Sequence, residues 1–573
     1  MIEKILRLRN IKKKDIGKFL FPDESLKPDY NKLENIQEGV ELLHKHVESG
    51  NHIRIPTDFD ADGFTSASII YQFLTQDLGH KNISYFIPKT KVHGIDVEDT
   101  LEHKPDLLLV TDAGTSEADK HKILSDNGVS VLVVDHHLLD GEPSQEAVVI
   151  NNQLSPNFPW KALTGAPMTH LFCEAYRDKY EIDVDLDKYL DLVAIGEIGD
   201  RADLRDLGAY YYAQKGLKKT QNPFIKMIVQ ESKSLDENRP LTPKDVSFSI
   251  APMINGMTRS GYEEDVRVVV DAMFGLEYQV YNTRLKDEFP VVREAFRKAT
   301  STRARQSKQV KEALEKLTER IETMGTAQNK VLLVNSTGII TDSGLNGLVA
   351  IKLAEEYQRP TLVLQYDEGQ RVLRGSGRNF SGSPVEDFRG LLEESGSFNY
   401  ARGHSGAFGT EISLEEAVNV IEVLNEELAD VEYEELLHHV DLSYSQKPDA
   451  QEILDIASHS HIWGNGIAEP VIHIDEIYLA KKDIRFIGAK GNTWALDLQT
   501  CQGIMFNMSE DKKLALTNHE EDLIKLEVVG ECGINTYNNQ QRPQVIIKDF
   551  SARGISEEEQ NPFGGMDIEV LPF

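Results

Sequence analysis

Three aspartates at alternate positions, Asp58, Asp60 and Asp62, sit in the segment DFDADG and are followed at once by Gly63. Two unit charges about 4 Å apart cost roughly 4 kcal/mol at intermediate dielectric, so such a cluster calls for a cation. A divalent metal removes the cost, although a lone DxDxDG serves equally well as a surface turn. Further along, LLLVTDAG (107–114) stops at Asp112, VLVVDHHLLD (131–140) places Asp135, His136 and His137 after an apolar run, and DLDKYLDLVAIGEIGD (185–200) ends on Asp200. Carboxylates with one or two imidazoles form an oxygen-rich ligand set, which suits manganese or magnesium better than zinc. His136 and His137 differ in direction along the backbone, so only one of the two is expected to face a given metal and the other to orient a phosphate. Asp135 is expected to support the ligating histidine by accepting its other N–H.

A second constellation is rich in glycine and arginine. RGSGRNFSG (374–382) and ARGHSGAFG (401–409) carry Arg374, Ser376, Arg378, Arg402 and His404 among glycines that let backbone N–H groups approach phosphate oxygens. Taken alone, each stretch reads as an ordinary turn.

The elements around these residues alternate. HIRIP, LLLVT and VLVVD are short, continuously apolar runs separated by helical patterns such as ENIQEGVELLHKHVES (34–49), which predicts a parallel sheet covered on both faces. In such sheets the ligand crevice lies beyond the carboxyl ends of the strands, where the acids and histidines fall. From Val291 to Met324 the pattern is one long charged helix, with seven basic residues against one acid between 291 and 311, a balance most simply read as a solvated face. A second α/β region begins at KVLLVNS (330–336). Residues 471–550 change to short alternating strands joined by turns, which predicts a small β-barrel, and the last 23 residues read as a solvated acidic tail with an apolar tip.

Bulk properties bound the answer. At 573 residues the chain exceeds the roughly 250–300 that one core supports. Hydrophobic content of 40%, with no apolar run approaching a membrane span, predicts a soluble cytoplasmic protein with no membrane association. Three scattered cysteines indicate neither a disulfide framework nor a thiolate zinc site. A net charge of −32 argues against a broad nucleic-acid-binding surface and leaves room only for a local basic channel.

DFDADG, TDAG, VVDHH and GEIGD, in this order and spacing, resemble the motifs of the DHH phosphoesterase family. Because Arg54 precedes Asp58 by four residues, where the short-oligonucleotide branches usually carry histidine, the chain is similar to the RecJ branch of single-strand-specific 5′ exonucleases. IAPMINGMTRSG, with Asn255 and Arg259, the two glycine-rich stretches and the strands after GNGIAEP resemble later RecJ segments, over roughly residues 20–550. Arg402 stands where the family has the first glycine of Gly-Gly-His, so that loop is either shifted or gains a phosphate contact.

The resemblance implies two α/β domains joined by a long helix, plus a C-terminal oligonucleotide-binding barrel. The expected division is an N-terminal helical cap (1–50), catalytic domain (51–290), connecting helix (291–325), associated domain (326–430), linker (431–462), barrel (463–550) and tail (551–573). It implies two Mn2+ or Mg2+ ions about 3.5–4 Å apart, held by Asp58, Asp60, Asp62, Asp112, His136 and Asp200, with Asp112 bridging. Asp112, His136 and His137 would then be catalytic, and Asn255, Arg259, Arg374, Ser376, Arg378, Arg402 and His404 would bind substrate. The expected substrate is single-stranded DNA, cut to mononucleotides by a monomer in repair or recombination. The tip ending at Phe573 resembles the tail of bacterial single-strand-binding proteins and implies replication or repair partners that recognise such tails, unless it folds back. A short-oligonucleotide or cyclic-dinucleotide phosphodiesterase and a non-catalytic replication scaffold stand as alternatives.

Overall fold

Strands that are apolar at every position must be covered on both faces, and the first sheet is built that way. The computed structural model describes residues 1–88, 94–433, 438–537 and 540–556. Within it β1 (Ile53–Pro56), β2 (Ile83–Phe86), β3 (Leu107–Thr111), β4 (Ser130–Asp135) and β5 (Val148–Asn151) run parallel in the order β2-β1-β3-β4-β5. Both β1 and β3 are buried at every position. Because β1, β3 and β4 are neighbours, the segments leaving their carboxyl ends bring Asp58, Asp112 and His136 to one edge. Helices α1 (Ala61–Gln72), α2 (Gly165–Lys179) and α3 (Leu190–Gly199) pack against one another over this edge and deliver Asp62 and Asp200 to it. Helix α4 (Ala251–Ser260) carries Asn255 and Arg259.

The predicted connector is α5 (Val291–Met324), 34 residues long. Its buried stripe is divided between two cores: Val291, Ala295 and Ala299 join the first domain, and Val310, Ala313, Leu317 and Ile321 join the second. Its basic residues are mostly structural. Lys298 pairs with Asp265, Arg303 donates to the carbonyls of Phe248 and Ser249, and Arg305 donates to the carbonyl of Ser260 with its guanidinium over the Tyr262 ring. Lys308 and Lys311 face solvent beside Glu312 and Glu315. The positive run is therefore a staple for the α4 end plus a solvated face.

The second α/β domain holds β6 (Leu332–Asn335), β7 (Thr361–Asp367), β8 (Val372–Arg378), β9 (Phe398–His404) and β10 (Ala407–Ser413), in the order β9-β10-β8-β7-β6. Only β6 and β7 run parallel. A third, seven-stranded sheet comprises β11 (Leu442–Ser445), β12 (Val471–Ala480), β13 (Arg485–Ile487), β14 (Thr493–Asp497), β15 (Gln502–Met505), β16 (Leu523–Tyr537) and β17 (Gln540–Gly554), in the order β11-β12-β16-β17-β15-β14-β13.

Two expected boundaries move. The stretch read as a linker contains β11 and a helix, Ala450–Ser458, and β17 continues into the stretch read as a tail because Gly554 pairs with Ile524 and Ile555 is buried. The rest of that tail, 557–573, with its expected docking tip, lies outside the described residues. Trp463 and Trp494 are buried in a core shared by the first domain and the third sheet, so neither offers a face to bases. No helix among the described residues is long and apolar enough to cross a membrane. The three cysteines are unpaired.

Candidate metal centre and phosphate cleft

Three acids at the sheet edge, Asp60, Asp62 and Asp135, are held by backbone donors. Asp60 caps α1 and accepts from Gly63 N at 2.9 Å. Asp62, fully buried, accepts from Gly165 N at 2.6 Å and Ala166 N at 2.9 Å, the first free amides of α2. Those amides are fixed in turn by Thr164, whose N–H and hydroxyl donate to buried Glu197 at 3.1 Å. Residue 165 must be glycine, because a Cβ there would lie 2.6 Å from the Cβ of Asp112. Asp112 itself sits at φ 63°, a left-handed conformation that aspartate and asparagine tolerate better than most residues.

The ligand atoms converge. His136 Nε2 lies 3.1 Å from Asp112 Oδ1, 3.7 Å from Asp200 Oδ2 and 3.9 Å from Asp62 Oδ2. Yet, among the described residues, neither His136 Nε2 nor Asp112 Oδ1, both buried, makes a hydrogen bond. Buried polar atoms this close with no bond between them are arranged for a third party, and carboxylates with a single imidazole fit a hard or borderline divalent cation. Electrostatics agree. Burial, with the charges of Asp62, Asp60, Asp58 and Asp200, pushes the Asp112 carboxyl well above its usual range, and burial with Asp62 and Asp60 pushes Asp200 up to about 8. Burial holds His136 below its usual value, mainly against the pull of Asp62, which keeps the imidazole neutral and able to ligate.

The expectation for Asp135 changes. It supports His137, not the ring of His136: Asp135 Oδ1 accepts from His137 Nδ1 at 2.8 Å and from the backbone N–H of His136 and His137. Burial works against a charged His137, but the Asp135 hydrogen bond and the charges of Asp135, Asp200 and Asp58 outweigh it and raise His137 to about 9. Sequence reasoning missed the rest of this bracket. Thr115 N donates to Asp135 Oδ2 at 3.0 Å, and Asn151 Nδ2 donates to Thr115 Oγ1 and to the His137 carbonyl. A polar residue closing β5 and another in the loop after β3 were the available signal.

Facing the acids across a cleft of about 1190 Å³ are Ser376, Arg378 and His404, with Asp60, Asp200 and Arg259 on the near side. This exceeds the roughly 300–1,000 Å³ of a small-ligand pocket. Burial depresses Arg259 against the pull of Asp60, and burial together with Arg259 brings Arg378 down to about 10. Arg378 donates to the carbonyls of Gly377 and Phe408, and among the described residues neither arginine pairs with a carboxylate. Asn255 Oδ1 is buried without a partner among the described residues.

Three expected substrate residues, Asn255, Arg374 and Arg402, do not line the cleft. Arg374 shares the face of β8 with Ser376 and Arg378, but Glu411 stands directly across on β10 and neutralises it, with Asp367 and Gln370 holding the other nitrogens. Arg402 lies back along β9 over the ring of Tyr400, 5.4 Å from its centroid. Gly403 beside it has a φ of 133°, which L side chains rarely adopt, whereas Arg402 pairs with Gly409 in the regular ladder between β9 and β10. Arg54 is structural: it is buried and donates to Asp99.

Residues 52–197 match the model of the DHH family, N-terminal domain, and residues 441–549 that of the RecJ OB domain. The SPbeta prophage-derived single-strand DNA-specific exonuclease YorK of Bacillus subtilis is 32% identical over 563 residues, covering 97% of this chain and 96% of the relative. The chain belongs to the DHH family, in its RecJ-like branch. RecJ of the same bacterium is 24% identical over 534 residues, 90% of this chain and 63% of that one. The crystal structure of Thermus thermophilus RecJ in complex with Mn2+ superimposes with a TM-score of 0.72 at 22% identity, covering 96% of this chain and 75% of that one, and so shares the fold. The RecJ-like chain thus combines a parallel-sheet catalytic domain, a mixed associated domain and an oligonucleotide-binding sheet.

Proposed function

We propose that this chain is a metal-dependent exonuclease that hydrolyses single-stranded DNA from its 5′ end to mononucleotides. The observation that carries the reading is the convergence of Asp62, Asp112, His136 and Asp200 on one point, with Arg259 beside them and Arg378 across the cleft, neither of which pairs with a carboxylate among the described residues. Asp58, Asp60, Asp62, Asp112, His136 and Asp200 would hold two divalent cations, manganese or magnesium, with Asp112 between them. Bound there, such ions neutralise the phosphodiester and acidify the attacking water.

The chain's own residues do the rest. Arg259, Ser376 and Arg378 dock the terminal 5′ phosphate through charge-assisted bonds. His137, held protonated by Asp135, donates to a phosphate oxygen, and His404 closes the opposite side of the scissile group. Both walls are pinned to α5, and we read the cleft between them as admitting one strand but not two. We read the setting as repair or recombination in the cytoplasm, by a monomer. We also read the tip at Phe573 as a lure for proteins that recognise single-strand-binding tails, which deletion of Leu571 to Phe573 would release without loss of activity on naked strands.

The test compares manganese-dependent nucleotide release from 5′-labelled and 3′-labelled single strands, blunt duplexes and dinucleotides. Early release of the 5′ label from single strands alone is expected. Digestion from the 3′ end or equal rates on duplex would contradict the cleft assignment, dinucleotide preference would favour a short-oligonucleotide phosphodiesterase, and inactivity on all substrates a scaffold.

A further inference from the structure

Arg201 follows the acid Asp200 directly and lines the cleft, yet its backbone is left-handed, with φ 62°. That conformation is unfavourable for arginine and persists only when the surroundings impose it. The imposing group comes from the far end of the chain. Asn465 Nδ2 donates to the Arg201 carbonyl at 2.5 Å and reaches the Ala202 carbonyl at 3.4 Å, while Leu204 N donates to the Asn465 carbonyl at 3.0 Å. Arg201 N closes the turn on the Ile198 carbonyl at 3.1 Å.

The loop that supplies Asn465 is pressed against this turn. Gly464 and Ile467 bond each other's backbone, a Cβ on Gly464 would lie 2.5 Å from Leu204 Cδ1, and one on Gly466 would lie 1.9 Å from Asp203 Oδ1. The same loop leads into β12, the first long strand of the oligonucleotide-binding sheet. The guanidiniums nearby are not equivalent. Arg205 is bound by Asp203, whereas Arg201 is exposed at the cleft and, among the described residues, pairs with no carboxylate. In a chain of net charge −32, an unpaired arginine held in a strained backbone beside an acidic centre has an anion as its natural partner.

We infer that Arg201 forms a second phosphate subsite, which grips a backbone phosphodiester on the 3′ side of the scissile bond as the strand arrives from the oligonucleotide-binding sheet. Arg259 and Arg378 take the terminal phosphate, and Arg201 takes a following one. Asn465 is a positioning residue: it holds the turn that presents the guanidinium, and so ties the oligonucleotide-binding sheet to the catalytic edge.

This inference rests on the nuclease reading and is tested with the full chain, manganese and two substrates, a single-stranded 20-mer and a 5′-phosphorylated dinucleotide. Arg201→Ala is expected to lower kcat/KM on the 20-mer about tenfold to a hundredfold, as loss of a charge-assisted contact implies, and by at least roughly tenfold more than on the dinucleotide. It should also flatten the dependence of log kcat/KM on log salt by about 0.7, the share of one single-strand phosphate contact. Arg201→Lys should recover part of the loss, and Asn465→Ala should reproduce it more weakly. Equal losses on both substrates with an unchanged salt slope would reduce Arg201 to a prop for Asp200 and overturn the subsite, as would an unaffected 20-mer. A parent chain inactive on every single strand would overturn the nuclease reading and the subsite with it, whereas an active parent with an unaffected variant overturns the subsite alone.

Discussion

On the acid wall, the functional side chains leave strand ends or helix caps and are tied by backbone donors: Asp62 by two amides of α2, Asp60 by Gly63 N, Asp135 by three N–H groups around the two histidines. On the arginine wall, the side chains stand on the middle and end of a β-strand, and among the described residues Arg378 donates to carbonyls alone. The first wall shares one continuous core with the oligonucleotide-binding sheet, while the second belongs to a domain with its own cores, joined through α5. The difference separates two tasks. Chemistry on close-set anions needs groups fixed to fractions of an ångström, which backbone hydrogen bonds provide. Capture of a phosphate needs charge at the right place, which a half-buried arginine provides without a rigid partner.

The comparison breaks first, and most severely, at Asp112. Asp112→Asn keeps the left-handed backbone and the side-chain volume but removes the charge between the two expected ions, and nucleotide release should fall at least roughly a thousandfold with an unchanged thermal unfolding profile. Near-parent rates from the folded variant would remove Asp112 from the centre. Next comes the arginine wall. Arg378→Ala should raise KM for single strands about tenfold to a hundredfold and leave the manganese concentration for half-maximal rate where it was; a shifted manganese requirement would show that the walls are not separate.

Arg374→Ala sharpens the contrast from the other side. Its charge is spent on Glu411 and Asp367, so steady-state kinetics should move less than about threefold, within the range of a surface charge change. A loss like that of Arg378→Ala would return Arg374 to the cleft.

The smallest effect concerns the join between catalytic domain and oligonucleotide-binding sheet, where Glu531 accepts from Lys244 and Lys548. Burial pushes its carboxyl up, but the two lysines outweigh burial and hold it below the usual 4.5. A carboxyl lowered on folding adds stability that is present above 4.5 and is lost as pH falls through the folded value. Unfolding temperatures of the parent and Glu531→Gln should differ at pH 7 and converge as pH falls from 4.5 through the lowered folded value; a constant difference would remove the carboxylate from the join.

Much of the acid wall was legible in the sequence, because continuously apolar strands announce a parallel sheet and such a sheet fixes where its carboxyl ends point. Asp58, Asp112 and His136 follow from that rule alone. The arginine wall was only half legible. Alternation along RGSGR puts Arg374, Ser376 and Arg378 on one face, but nothing local says that Glu411, 37 residues later, lies opposite the first of them. Arg402 misled for the same reason: glycine was needed at its neighbour. The Asn465 clamp joins residues 264 positions apart, and Asp135 chose His137 over His136 through side-chain geometry that spacing does not encode.

The central claim, that the acid wall is a two-ion centre independent of the arginine wall, is tested most directly by counting Mn2+ bound at equilibrium, with electron paramagnetic resonance to detect coupling between the ions. Two coupled ions per chain are expected in the parent and in Arg378→Ala, with the coupling lost in Asp112→Asn. Fewer than two bound ions in the parent, or an undiminished coupled pair in Asp112→Asn, would contradict it.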